Sequence, residues 1–443
     1  MNQRTMKPFQ IDEFSFNGAS VFSKNGKNLL LGENGCMILL DNELAEAVER
    51  ANPSDELKFK LVQHGLASFP GKQMFRPEKE IEVRYFILDL TKRCNFDCIY
   101  CFRSPSGARE MDNHTLELTL RFIQRYCEDH GLTRIGLQMW GGEPLLALDK
   151  IRSIARFFQN TGIRAAIDIE TNASLITTEI AKELYELGVH VGVSIDGPPD
   201  IQNRQRRLYS GKGSAELVEK GIRNLQQFYG NDFGGIAVIT ALSFPHIARM
   251  LDYFIYDLGL SRIKFNLVRD NAHARESHLA LTTEETESFF TLLLEYLEAY
   301  NLLGMGITES NIALRIRNLL ERTGSSCCLS NGCQGGRHIV SIDWNGDVFP
   351  CEMTDFPEEK LGSIFDTVPL DDQILLAIKQ HRYFLPKVDL RCKECCWRCY
   401  CGGGCSSRLR YLGQDGKIDQ TECLINRILY PKIIEWILDG KVG

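Results

Sequence analysis

A chain of 443 residues, 44% hydrophobic and 25% charged, has the composition of an ordinary globular protein and the length for two or three domains. Its formal charge of −7 gives no global attraction for nucleic acid or an anionic membrane, although Arg204, Arg206 and Arg207 make a local basic patch. No run of ~18 apolar residues occurs, and the N-terminal MNQRTMKPFQIDEF lacks the apolar stretch of a signal peptide, so we expect a cytoplasmic protein with no membrane and no nucleic-acid partner.

In chain order, residues 14 to 41 alternate short apolar runs with the turn signals Asn25-Gly26 and Glu33-Asn34-Gly35, the pattern of a small antiparallel sheet. Helical patterns follow near Asn42 (Leu44, Ala47, Val48, Ala51) and near Ser54 (Leu57, Leu61, Val62). Strands followed by helices suit a small α+β, winged-helix-like module over residues 1–80, with Phe69 to Pro77 as its linker.

From residue 84 strands and helices alternate. Strands are expected at Tyr85 to Leu90, Ile135 to Met139, Ala165 to Glu170, Val189 to Ser194, Gly235 to Ala241 and Arg262 to Leu267. Amphipathic helices lie between them: one puts Leu116, Leu120, Ile123 and Cys127 on a buried face, and another runs from Thr177 to a cap at Gly188. Six βα units over residues 81–310 predict an α/β protein whose parallel sheet curves into a partial (β/α)6 TIM-type barrel. Ligands of such sheets bind at the carboxyl ends of the strands. The segment Gly211 to Ser214 does not make a phosphate loop, because the full glycine pattern after a strand is missing; Ser214 is expected to cap a helix containing Leu217, Val218, Ile222 and Leu225.

Sixteen Cys without an export signal are unexpected as a disulfide scaffold, and their clustering implies metal. Cys94, Cys98 and Cys101 follow the first strand at C-x3-C-x2-C spacing. Thiolates are soft ligands, and three of them leave one iron of a four-iron cluster with a vacant position; a loop zinc site or three core thiols are the alternatives. Eleven more Cys lie between residues 327 and 423, among them Cys392-x2-Cys395-x5-Cys401-x3-Cys405 and then Cys423. Upstream of these, Cys327 and Cys333 precede a hairpin pattern from Ile339 to Cys351 that turns at Asn345-Gly346. Eight thiols of this region would fill two four-iron clusters, whereas Cys392, Cys395, Cys401 and Cys405 alone could make a zinc ribbon.

The thiol loop resembles the signature of the radical S-adenosylmethionine (radical SAM) enzymes, and the later cysteines resemble the SPASM pattern of that family, over about residues 84 to 430. The resemblance implies S-adenosylmethionine on the open iron, reduced by one electron to a 5'-deoxyadenosyl radical. Met139-Trp-Gly-Gly-Glu-Pro144 is similar to the family's GGEP motif, which contacts the amino group of S-adenosylmethionine. The resemblance then puts Gly141, Gly142, Glu143, Pro144, Thr171, Asn172, Ser194, Asp196 and Arg206 around that ligand. Ser194 and Arg206 would hold its carboxylate, and Tyr100 would sit by the adenine. It also implies three [4Fe-4S] clusters in all. Cys94, Cys98 and Cys101 would hold one; Cys327, Cys333, Cys351 and Cys405 the first auxiliary cluster; and Cys392, Cys395, Cys401 and Cys423 the second, in a SPASM domain over residues 311–443. Cys328 could replace Cys327, and Cys396 or Cys399 could compete within the second set.

The implied activity is oxidoreductive modification of a ribosomally made precursor peptide with a leader, to a crosslink or an oxidised residue, with a flavodoxin- or ferredoxin-type electron donor. Anaerobic sulfatase maturation, which forms formylglycine, is the alternative, and an iron-sulfur electron-transfer or zinc-binding interaction protein is the non-enzymatic one. Two features depart from the sulfatase-maturating pattern. More than 80 residues precede the first thiol motif, and Glu352 follows Cys351 where those enzymes place an Asp as the base. Residues 1–80 resemble, weakly, the peptide-recognition domain of peptide maturases, in which case the leader would add a strand to a sheet edge; otherwise they cap the barrel. Glu352 is the candidate catalytic base, or a structural hydrogen-bond acceptor.

Overall fold

The computed structural model describes residues 1–69, 81–102, 109–268, 278–321, 333–354, 356–380, 389–414 and 416–442. Cys327, Cys328 and all of the expected linker but Phe69 lie outside the described residues. The N-terminal part contributes β1 (Asn2–Met6), β2 (Phe9–Ile11), β3 (Phe14–Phe16), β4 (Ala19–Lys24), β5 (Lys27–Leu31) and β6 (Met37–Asp41), then helices Asn42–Glu49 and Asp55–Gln63, and β7 (Ala67–Ser68). One antiparallel sheet has the order β1-β4-β5-β6 and a second the order β2-β3-β7. Asn25 and Gly26 both take positive φ, 50° and 78°, which is the two-residue turn that joins twisted strands without splaying them. Asp41 and Ser54 cap the two helices through their side chains. β1 and β2 precede the residues expected to form the sheet; β1 carries a single apolar residue and β2 is only three residues long.

Further along run β8 (Tyr85–Thr91), β9 (Phe96–Cys98), β10 (Arg134–Gly141), β11 (Arg164–Thr171), β12 (Val189–Ser194), β13 (Arg206–Leu208), β14 (Gly234–Ile239), β15 (Arg262–Leu267) and β16 (Thr308–Glu309). The six expected strands are parallel neighbours in the order β8-β10-β11-β12-β14-β15, so each carboxyl end opens on the same rim. Their alternate residues, such as Phe86, Leu88, Leu137, Met139, Ile169, Val193 and Ala237, are buried in one continuous core with the inner faces of the helices, Cys127 among them. The sheet does not stop at the barrel. The hairpin of β17 (Ile339–Ile342) and β18 (Asp347–Phe349) is present as expected, but β17 also pairs parallel with β8, and β18 pairs with β19 (Gly362–Ser363). The Lys92 ammonium joins the two parts, 2.6 Å from Asp89 and 3.0 Å from Asp343.

The last helix, Gln420–Leu438, is the common strut. Trp436 donates to Glu298 on the barrel helix Thr283–Leu302 (2.6 Å), Glu422 pairs with Arg315 (2.6 Å), and Glu435 and Asp439 both pair with Lys24 of β4 (2.7 Å each). The Trp397 indole stacks between Phe22 of β4 (5.3 Å) and Tyr430 of the strut (5.1 Å). The N-terminal sheet is thereby packed onto the cysteine-rich region, with Phe22, Leu29 and Leu31 in the same core as the barrel. Among the described residues no helix is long and apolar enough to cross a membrane.

Candidate active site

The thiol loop is fixed by backbone pairing before any metal is considered. β9 runs antiparallel to β13 with Arg206 opposite Cys98, Arg207 opposite Asp97 and Leu208 opposite Phe96. On the other flank, Gly142 N–H donates to the Thr91 carbonyl (2.8 Å) and Glu143 N–H to the Arg93 carbonyl (2.9 Å). A Cβ on Gly141 would lie 2.3 Å from the Thr91 oxygen, and one on Gly142 2.2 Å from the Arg93 oxygen and 3.0 Å from Cys94 Cβ. The close approach these glycines serve is thus between the two loops, which seats the GGEP turn directly against the first thiol.

Glu143 is buried and accepts from the Thr171 hydroxyl (2.6 Å), Asn172 N–H (2.8 Å) and Leu145 N–H (3.1 Å). Burial pushes its carboxyl up and these bonds oppose the shift. Pro144 opens the single turn Pro144–Ala147 that presents Leu145 to it. Asn172 reaches back to Asn95 (2.7 Å), which in turn donates to Ser174 (2.8 Å), so the ends of β10 and β11 hold the residue next to Cys94.

Across the rim, the fully buried Asp196 accepts from Tyr100 O–H (2.6 Å), Gln205 Nε2 (2.9 Å) and Val238 N–H (3.0 Å). Arg206 Nη1 donates to the Tyr100 oxygen (2.6 Å) and lies 3.8 Å from Asp196. The Tyr100 hydroxyl is therefore committed to protein partners, and its ring is what remains to pack on a ligand. Arg206 Nε is buried without a hydrogen-bond partner. Ser194 ends β12, half-buried.

Asn95, Gln202 and Gln205 were not singled out in the sequence. Gln202 and Gln205 lie three residues apart on helix Pro199–Gln205, both fully buried, and Gln202 Oε1 accepts from Asp196 N–H (2.9 Å). The signal for them is two amides at helical spacing just after the Asp196 motif. Ser214 does not cap the following helix as expected. Its hydroxyl is engaged by Gln202 Nε2 (3.1 Å) and the Arg206 carbonyl, and Asn203 Oδ1 takes the Ala215 N–H (2.9 Å) instead.

The three thiols converge electrostatically. Burial pushes Cys98 up to about 12 and Cys94 up to about 11, with each raised further by the other loop thiols or by Glu143. Cys101 is exposed. The later cysteines sort into two sets. Burial raises Cys351, and Glu352, Cys333 and Cys405 act on it next. Cys392 is raised by burial and then by Asp389, Cys395 and Cys423, and Cys401 is pushed up to about 11 by burial, with Cys423 also acting on it. Cys405, which a zinc ribbon would need beside Cys392, Cys395 and Cys401, acts on Cys351. Cys396 and Cys399 have contacts with the N-terminal sheet, although Cys395 also acts on Cys396. Gln3 Nε2 lies 4.0 Å from the Cys396 sulfur, and Cys399 donates to the Glu33 carbonyl (2.7 Å), so both address the N-terminal sheet. Among the described residues no three Cys, His, Asp or Glu side chains gather closely enough to hold a single metal ion.

A family model described as the Radical SAM superfamily matches residues 88–253, which is the thiol loop and most of the barrel. A serine-type anaerobic sulfatase-maturating enzyme of Bacteroides thetaiotaomicron is 26% identical over 340 residues, 70% of this chain and 80% of that one. Two solved structures share the fold. Native anSMEcpe with bound AdoMet and Cp18Cys peptide aligns with a TM-score of 0.68 at 22% identity, over 80% of this chain and 99% of that one. Streptococcus suis SuiB bound to precursor peptide SuiA aligns with a TM-score of 0.53 at 15% identity, over 94% and 99% respectively. A radical SAM domain works with S-adenosylmethionine and a [4Fe-4S] cluster. The site fits that pair in its donor set, with three thiols on one loop, a turn too tight for any Cβ beside them, and an orphaned guanidinium nitrogen in the same wall. Residues 88–253 are a radical SAM domain.

Proposed function

We propose that this enzyme modifies a ribosomally made precursor peptide and carries three [4Fe-4S] clusters. Cys94, Cys98 and Cys101 hold the first; Cys333, Cys351 and Cys405, with Cys327, hold the second; Cys392, Cys395, Cys401 and Cys423 hold the third. When bound, the first cluster and S-adenosylmethionine supply a 5'-deoxyadenosyl radical that takes a hydrogen atom from the peptide. The chain's own residues orient and enclose. The Gly141-to-Pro144 turn receives the amino group of S-adenosylmethionine, with Thr171 and Asn172 keeping Glu143 in place. Ser194 and Arg206 take its carboxylate, and Asp196 and Tyr100 fix the guanidinium.

The observation that carries the peptide reading is the N-terminal α+β module seated on the cysteine-rich region. SuiB aligns over 94% of this chain, whereas the anSMEcpe structure aligns over 80%. In the sheet order β1-β4-β5-β6, strand β6 pairs on one side with β5. Beside it lies a cavity of about 410 Å³ lined by Met37, Ile38, Leu39, His64, Leu319 and Ile437. A leader adding a strand at that edge would gain backbone hydrogen bonds and an apolar pocket for alternate side chains. The test is incubation with the peptide encoded beside this gene. Equimolar 5'-deoxyadenosine and a peptide lighter by two hydrogens are expected, and no mass change in any neighbouring peptide sinks the reading.

Sulfatase maturation is the second reading, favoured by relatives such as the Bacteroides enzyme. A sulfatase peptide turned over to formylglycine selects it. On either reading Glu352, beside the first auxiliary set, takes the substrate proton as the substrate radical is oxidised. Glu352→Gln is expected to keep cleaving S-adenosylmethionine while closed-shell product falls at least about a hundredfold; undiminished product removes Glu352 from that role.

A further inference from the structure

Of the basic patch read from the sequence, Arg206 serves the site, whereas Arg204 and Arg207 adjoin it without being used there. β13 pairs with β9, and the period of two sends Arg206 and Leu208 inward with Cys98 and Phe96, while Arg207 and Asp97 face solvent as an ion pair (3.2 Å, each side chain 48% exposed). The ribbon closes in a tight turn, Leu208 N–H to the Lys212 carbonyl (3.0 Å) with Gly211 at φ 79°. Tyr209, 51% exposed, lies over the loop with its N–H 3.5 Å from the Asn95 carbonyl, one residue from Cys94. Its phenol is raised by partial burial and then by Cys94, Asp97, Cys101 and Cys98, so it sits within the field of all three thiols. Arg207 and Lys212 are exposed on this ribbon and Arg204 on the last turn of the helix that leads into it, and together they outnumber Asp97, on a chain whose net charge is −7.

We propose that the outer face of this ribbon, Asp97, Arg207, Tyr209 and Lys212, with Arg204 of the helix before it, is the docking site for a small acidic one-electron carrier protein. The inference rests on the radical SAM reading of Cys94, Cys98 and Cys101. That chemistry takes one electron from outside: the reduced carrier loses one electron and the iron-sulfur centre gains it, with no bond made or broken. An acidic carrier is repelled by most of this chain and attracted where the ribbon is basic, which orients the encounter. One backbone layer then separates it from the thiols, because Asp97 on the outer face adjoins Cys98 on the inner. Transient redox complexes need little area, typically under ~1,200 Å², and an exposed Tyr beside the thiol loop suits such a contact. Arg206 belongs to the inner face and to S-adenosylmethionine, so the two Arg neighbours divide between two ligands.

The test uses the full-length reconstituted protein, reduced flavodoxin as the probe, and the variants Lys212→Glu and Arg207→Glu/Lys212→Glu. Flavodoxin affinity, measured by titration at low and physiological salt, is expected to fall at least about tenfold at low salt in the double variant and to lose its salt dependence. Lys212→Glu, which leaves the Asp97 pair intact, should show part of that loss. Flavodoxin-driven 5'-deoxyadenosine formation should fall with the affinity, while the dithionite-driven rate stays within about twofold. Unchanged flavodoxin affinity, or equal losses with both reductants, overturns the docking site. So does displacement of the swap's effect onto an anionic substrate peptide in place of flavodoxin. Wild-type protein that makes no 5'-deoxyadenosine even with dithionite overturns the radical SAM assignment of the three thiols, and the docking site with it.

Discussion

The first thiol loop and the C-terminal cysteine region are both rich in thiols and are built in opposite ways. The loop is short, and what shapes it is polypeptide: β13 on one side, the Gly142 and Glu143 amides on the other, and Asn172 and Ser174 behind Asn95. The C-terminal thiols come from segments strung between residues 333 and 423, several on helices of four residues, Leu390–Lys393 and Arg398–Cys401, which are too short to be stable alone. What braces them is the N-terminal sheet, through Arg398 to Glu33 (2.9 Å), Cys399 to the Glu33 carbonyl, Tyr400 to the Gly35 carbonyl and the Trp397 stack. A preorganised site keeps an open coordination position in register; a site that need only be filled can leave more of its order to the metal.

The comparison can be broken at several strengths. The largest effect is expected from Cys98→Ala, which should abolish 5'-deoxyadenosine formation with dithionite and lower iron by about four atoms per chain, leaving the auxiliary iron; simultaneous loss of all iron would mean that the two regions are not independent. Next is iron removal by a chelator. Hydrogen exchange should rise at least about a hundredfold, roughly 3 kcal/mol, across residues 389–414 while β8, β10 and β11 hold their protection. Equal loosening of the barrel would show that the loop also depends on metal. Asp196→Asn comes third: it keeps the shape and removes the charge beneath Arg206 and Tyr100, and should raise KM for S-adenosylmethionine about tenfold with a smaller change in kcat. A kcat effect alone would place Asp196 in the chemistry. The smallest is Tyr400→Phe, which removes one buried bond and should cost ~1 kcal/mol in thermal stability, with Cys396→Ala and Cys399→Ala leaving iron content unchanged. Lost iron in either Cys variant would return these thiols to the ligand sets.

The barrel was legible because each of its strands is a short apolar run followed by an amphipathic helix, and the six expected strands overlap those observed to within about two residues. The site residues were legible where a motif holds them at one strand end, as at Cys94, Gly142 and Asp196. What escaped is what depends on partners distant in sequence. The hairpin at Asn345-Gly346 could be read locally, but nothing local says that Ile339 will lie beside Tyr85. Gln202 and Gln205 read as solvent-facing amides until the buried Asp196 gives them a partner. Ser214 looked like a cap because its competing acceptor, the Arg206 carbonyl, comes from another turn. Cys396 and Cys399 match ligand spacing as well as their neighbours do, and only the docked N-terminal sheet separates them.

The pairing of β17 with β8 also constrains how the molecule can be made. β8 is among the first barrel strands to leave the ribosome, yet its second edge waits for residues 339–342, which pair with residues 85–88. Until then Phe86, Leu88 and Leu90 lie in a strand with an unsatisfied row of amides and carbonyls, a template for another nascent chain. Closing so long a loop is slow, so the interval is set by translation and search together. A chain truncated between the barrel and β17 would keep every residue of the radical site and still present that open edge, and the cysteine-rich region therefore acts as the seam that makes the barrel soluble as well as the holder of its later thiols.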